Sequence, residues 1–352
     1  MEIKSLKIGN LSAFPPVIQG GMGVGVSLSS LAGAVAKAGG IGILSTAQIG
    51  YQEPEFSTRP IETNLKAIGE QIKKARQIAP KGIIGVNIMV ATQRYPEYVK
   101  ASVDAGVDVI ISGAGLPMEL PELVKGSTTK IAPIVSGVKA AKLICKYWKK
   151  KYDRLPDFIV IEGPMAGGHL GFHMEELVQY QKDPKAYHSE ISSVIDFIRE
   201  LELIENVKIP VVVAGGIFTR EDMLNMLALG ADGVQIATRF VTTYECDAPQ
   251  SFKDAYLNAT KDSITITKSP VGMPGRVIQN EFIERVKKER IPIEHCRCCV
   301  STCKKTETPY CITDALIRAV TDQTDEAVVF CGANAWKCSK MEHVADIMQE
   351  FK

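Results

Sequence analysis

Val211-Val212-Val213-Ala214-Gly215-Gly216-Ile217, followed one helix later by Gly233-Val234-Gln235-Ile236-Ala237, decides the fold. The first stretch opens on an unbroken apolar run with no polar residue at alternate positions. A strand of that kind is buried on both faces, as in a parallel sheet covered by helices. Between the two stretches, Thr219-Arg220-Glu221-Asp222 has capping-box form and predicts a helix over Met223–Leu229 that stops at Gly230. Strand, helix and strand together make one βα unit running into the next.

The same rhythm extends back to Val17. Strands are predicted at Val17–Gln19, Ile41–Ser45, Gly82–Met89, Val107–Ser112, Lys130–Ser136, Asp157–Glu162, Pro210–Ala214 and Gly233–Ala237. After the first of them, Leu28, Leu31, Val35 and Ala38 recur at helical spacing, and Gly39-Gly40 ends that helix. Eight such units in about 240 residues match a (β/α)8 TIM barrel. A doubly wound open sheet is the rival, but it rarely carries eight uninterrupted units. The predicted class is therefore α/β, with the barrel over residues 1–245. After Phe240 the rhythm breaks. Helices are predicted at Ser251–Ala259, Asn280–Lys288, Ile312–Val320 and Met341–Phe351, with a Pro/Gly loop over Ser269–Gly275. Residues 246–352 are expected to form a small helical extension packing on the barrel, with a cysteine-rich loop at 296–311.

In such a barrel, chemistry sits where strands run into their following loops. Four glycine-rich segments fall at these ends: Gln19 to Gly23, Glu162 to His169, Ala214 to Ile217 and Gln235 to Phe240. Glycine lets backbone N–H groups approach a ligand, and a following helix N-terminus favours an anion. The last two segments follow strands seven and eight, the usual phosphate position. Asn87 ends the third strand, where its amide can meet a polar ring edge. His169 is the histidine of a glycine-rich strand-end loop, and imidazole titrates near neutral pH, which suits proton transfer. His173, four residues on, is the next candidate.

Ile18 to Met22, Gly85 to Met89, Glu162-Gly163 with Ala166 to His169, Val213 to Ile217 and Gln235 to Phe240 together resemble the nitronate monooxygenase family, also called 2-nitropropane dioxygenase-like. The flavin-dependent enoyl-acyl-carrier-protein reductase II shares the pattern. The resemblance implies FMN at the barrel mouth, reduced and reoxidised in turnover. It implies that Gly21 and Met22 line the isoalloxazine, that Asn87 and Glu162 make polar contacts to it, and that Gly167 packs on it. Gly215, Gly216, Gln235, Ile236, Ala237 and Thr238 would hold the phosphate and its surroundings through backbone and hydroxyl groups, and His169 matches the catalytic histidine. Relatives often carry glycine where this chain has Ala237. The added methyl is small beside a backbone contact, so FMN binding is expected to survive it.

Cys296, Cys299, Cys303 and Cys311 read as C-x2-C-x3-C-x7-C. Four thiolates so close in a loop suit an iron–sulfur cluster or a structural zinc. The spacing resembles the cluster loop of iron–sulfur flavin reductases related to old yellow enzyme, though the last gap is longer here. Plain reduced thiols on a surface turn are the alternative.

The 352 residues carry 41 basic and 40 acidic side chains, a formal net charge of +1. Neither sign dominates, so no nucleic-acid or membrane-surface partner is expected. Met1 to Asn10 lacks a signal-peptide pattern, and no apolar run reaches the length of a membrane span, so a cytoplasmic location is expected. A small-molecule substrate is expected, and the sequence leaves the oligomeric state open. Three functions follow: oxidation of nitroalkane anions; NAD(P)H-dependent reduction of an enoyl thioester or a quinone; or flavin binding without catalysis, as a redox sensor. The absence of a Rossmann fingerprint leaves NAD(P)H open as reductant, because the enoyl reductases bind it without one.

Overall fold

The computed structural model describes residues 2–294, 296–301 and 303–352. Eight parallel strands close into a barrel. They are β1 (Val17–Gln19), β2 (Ile41–Ser45), β3 (Ile83–Met89) and β4 (Val109–Gly113), then β5 (Lys130–Val135), β6 (Ile159–Glu162), β7 (Val211–Ala214) and β8 (Gly233–Ile236). Each lies within two residues of its sequence prediction at either end. The seam closes between β8 and β1, with Gln235 opposite Ile18.

The apolar runs work as expected of strands buried on both faces. In β7, Val212 and Ala214 join the cluster inside the barrel, while Val211 and Val213 join the layer between strands and helices. Each such side chain contributes about 1.5–3 kcal/mol when fully buried. Close packing is extreme at Gly42, where a Cβ would strike the Ala32 carbonyl, so only glycine lets the helix Ser29–Lys37 lie on β2. The capping box after β7 forms as read: Asp222 N–H donates to Thr219 Oγ1 at 3.2 Å, and Thr219 N–H donates to Asp222 Oδ2 at 2.8 Å.

Sequence reasoning missed a hairpin of Leu6–Ile8 and Leu11–Ala13, whose Leu6, Ile8 and Ala13 are buried in the same cluster as the inward-facing strand residues. It also missed a second hairpin, Ile264–Lys268 with Pro274–Ile278. Gly168–His169 adds to this hairpin as a third strand, with His169 opposite Gly275. The extension thus reaches back to the loop that carries the candidate catalytic histidine. The final helix, Val344–Glu350, lies beyond residue 246 yet belongs to the barrel's outer layer. Its Val344, Ile347 and Met348 are buried in one cluster with Leu31 and Val35 of the first barrel helix. Arg239, just after β8, bonds Glu342 at 2.9 Å and Glu350 at 2.6 Å, fastening that return. No helix among the described residues is long and apolar enough to cross a membrane.

Candidate active site at the barrel mouth

A cavity of about 530 Å³ opens at the C-terminal ends of the strands. Its floor is made by strand ends and its roof by the extension.

One corner is built from Gly215 and Gly216 after β7, and from Ala237 and Thr238 after β8. Gly215 and Gly216 have φ of 97° and 86°, a left-handed backbone that favours glycine. The short helix Thr238–Val241 starts here, so its first N–H groups have no intrahelical acceptor. Two residues unforeseen in the sequence close the corner. Asn334 Nδ2 donates to the Gly216 carbonyl at 2.7 Å, and Gly332 lies so near Thr238 Oγ1 that a Cβ there would collide with it.

Next to it, after β1 and at the end of β3, Gly21, Met22 and Asn87 also line the cavity. A Cβ on Gly21 would stand 2.5 Å from the Asn87 Cβ, so glycine keeps this wall flat. Gln235 also lines the cavity. Ile236 does not: its side chain is buried between barrel and helices, and only its carbonyl serves the site, accepting the Gly20 N–H at 2.8 Å. Strand alternation puts neighbours on opposite faces, so Gln235 points inward and Ile236 outward.

Glu162 ends β6, and burial pushes its carboxyl up to about 7. The carboxyl therefore keeps its proton in the folded chain between pH 4.5 and 7, where an unfolded chain has lost it. Stability of the flavin-free protein must fall as pH rises through that window and level off above it. Glu162→Gln, which cannot ionise, is expected to be more stable than the parent at pH 8 and to match it near pH 4, below both pKa values. The gap should be on the order of 2 kcal/mol after allowing for water in the cavity. Urea denaturation of both flavin-free proteins across pH 4–8 measures it, and parallel pH curves would show a carboxyl titrating as if in water.

The loop after β6 carries Gly167 and His169. Gly167 presses on the Cys331–Gly332 backbone, where a Cβ would come within 2.7 Å. The buried Arg276 guanidinium pins the same loop by donating to the carbonyls of Pro164, at 3.0 Å, and Ala166. His169 Nε2 and Ser269 Oγ are hydrogen-bonded at 2.7 Å, and Phe330 packs edge-on at 4.9 Å between ring centroids. Burial pushes the imidazole down to about 4, so it is neutral at ordinary pH. His173 lies apart from the cavity and starts the helix Met174–Lys182. Ser269, Arg276 and Phe330 all come from the extension, and so does an apolar wall of Phe252, Tyr256, Val271, Met273 and Leu316.

Cys296, Cys299, Cys303 and Cys311 line a second, smaller pocket that adjoins the first, and Cys299 borders both. Among the described residues, no three His, Cys, Asp or Glu side chains converge closely enough to hold a metal ion between them.

The fold is a TIM barrel with its largest described cavity at the C-terminal mouth. Residues 4–352 match the nitronate monooxygenase family, and the chain belongs to it. It is 28% identical over 272 residues to the (3aS,4S,5R,7aS)-5-hydroxy-7a-methyl-1-oxo-octahydro-1H-indene-4-carboxyl-CoA dehydrogenase of Rhodococcus jostii, covering 77% of this chain and 65% of that relative's length. It is 25% identical over 311 residues to a probable nitronate monooxygenase of Staphylococcus saprophyticus, covering 82% of each. Its fold is similar to that of FabK from Thermotoga maritima, with a TM-score of 0.72 at 24% identity, over 96% of this chain and 92% of the other.

Proposed function

We propose that the cavity holds FMN and that the enzyme oxidises nitroalkane anions. The residues present fit the cofactor. The left-handed glycine pair and the opening of helix Thr238–Val241 suit a single phosphate, and Gly21 leaves a flat wall for a ring system. Asn87 and Glu162 would meet the polar edge of the ring, and Gly167 its neighbourhood. When bound, FMN supplies a two-electron acceptor that molecular oxygen can regenerate.

The observation that carries the reading is the neutral, hydrogen-bonded imidazole of His169 at the cavity wall. A neutral imidazole can take a proton from the carbon next to a nitro group, so a neutral nitroalkane entering the cavity becomes the nitronate that is then oxidised. Ser269 fixes the ring through Nε2, which leaves proton traffic at the cavity to Nδ1. The extension covers one side of the cavity with the apolar wall of Phe252, Tyr256, Val271, Met273 and Leu316.

A second reading, NAD(P)H-dependent reduction of an enoyl thioester or quinone, is favoured by the apolar wall of Phe252, Tyr256, Val271 and Leu316, which suits an acyl chain or a quinone. The test is anaerobic mixing with each reductant while the flavin spectrum is watched. A nitronate should bleach the flavin and oxygen should restore it, and denaturation should release FMN. Bleaching by NADH or NADPH alone, reversed by an enoyl thioester or quinone, would replace the first reading with the second.

A further inference from the structure

We propose that the end of the cavity beneath the extension takes an uncharged hydrocarbon chain on the substrate and turns away a chain that ends in a carboxylate. The reacting group rests on the nitroalkane reading; the chain preference rests on the wall alone.

The wall begins at the candidate catalytic residue. Phe330 packs edge-on against His169, and Phe330, Val271, Leu316 and Cys299 all pack against the buried cluster that contains Ile312. All five side chains line the cavity, so apolar surface continues from His169 onto the extension. At this end the extension is tied to the loop after β3. Thr92 and Val300 pair as an isolated antiparallel bridge, and Gln93 N–H donates to the Cys299 carbonyl at 3.1 Å. Val271, Ile312, Leu316 and Phe330 are therefore the residues that choose the chain.

The cavity offers such a chain no positive charge. Among the described residues, no lysine or arginine lines it. The lining side chains that can ionise are Glu162, His169, Tyr256, Cys299 and Cys331, and burial favours the uncharged form of each. Two arginines of the extension lie outside the lining, and both have partners. Arg276 donates to the Pro164 and Ala166 carbonyls, and Arg297 pairs with Asp314 at 2.9 Å. A carboxylate drawn into this end would lose its water and meet no cation. A methylene loses nothing and covers apolar wall.

The test uses the full chain with FMN added, at pH 6, where a carboxylate probe is ionised and Glu162 keeps its proton. Calorimetric titration compares butanamide, hexanamide and octanamide, which cannot be oxidised by a flavin, with adipic acid monoamide, which carries a carboxylate in place of the end methyl of hexanamide. Affinity should rise about fourfold per added methylene. The monoamide should bind at least about a hundredfold more weakly than hexanamide. Val271→Lys and Leu316→Lys, each checked for folding by circular dichroism, should narrow that gap at least about tenfold by supplying the missing cation. In anaerobic flavin reduction, 1-nitrohexane should outrun 6-nitrohexanoate by a factor similar to the parent's gap. Equal affinity across the three amides, equal binding of hexanamide and the monoamide, or a gap unmoved in folded lysine variants would overturn the chain preference. Amides that bind as expected, with no nitro compound reducing the flavin, would overturn the nitroalkane reading and leave the chain preference standing. Equal reduction by 1-nitrohexane and 6-nitrohexanoate would do the reverse.

Discussion

Replacing His169 with alanine is expected to slow turnover by about 10²–10⁴-fold with flavin still bound. The ring touches the cavity but takes no part in the glycine corner that would receive the phosphate, so cofactor retention and proton transfer should separate. Its low pKa gives the effect a signature in pH. Burial holds the imidazole neutral down to about pH 4, so a base role is available at every pH above that and is lost as pH falls through it. The rate of anaerobic flavin reduction by a neutral nitroalkane should therefore be flat in this group's titration from pH 5 upward. The alanine variant should be slow throughout, and added imidazole should restore part of the rate. A variant as fast as the parent at all pH values would reduce His169 to packing against Phe330. Ser269→Ala, which keeps the base and removes its tether, is expected to fall between the two.

The barrel was legible because its strands are buried on both faces, and a continuous apolar run such as Val211–Ala214 suits few environments besides a covered parallel sheet. The strand-end glycines were legible for a related reason: close approach of backbone leaves residue types that nothing else demands. Ile236 enters the predicted set through its backbone alone, and its carbonyl accepts the Gly20 N–H. Strand alternation through Gln235 and Ala237 already turned its side chain toward the helices. The hairpin Ile264–Lys268 left a signal too, an Ile-Thr-Ile-Thr alternation before a Pro/Gly turn, but a lone short hairpin reads weakly beside a dominant helical pattern. Ser269, Arg276, Phe330 and Asn334 left none. They matter through contacts across 100 or more positions of sequence, such as Ser269 with His169 and Asn334 with Gly216. Only the folded extension brings them to the mouth.

Gly216→Val is expected to yield a folded but colourless protein. A Val at φ 86° must adopt a left-handed backbone, costing about 1–2 kcal/mol, and its Cβ would stand 3.0 Å from the Cβ of Met165. Those strains alone are tolerable in a domain of this size. The larger effect is local. A branched side chain at this corner would occupy the space over the backbone N–H groups that the phosphate needs, and each charge-assisted bond lost costs about 1.5–3 kcal/mol. Losing two or three of them lowers flavin affinity by at least about a hundredfold. Gly126→Val separates strain from site, because Gly126 has φ of 83° with no heavy atom within 4 Å of an added Cβ, and it does not line the cavity. It carries the same backbone penalty and should purify yellow with full FMN occupancy. If Gly216→Val also kept its flavin, the phosphate would have to sit elsewhere on the mouth. If both variants lost flavin equally, backbone strain rather than blocked N–H groups would be the cause.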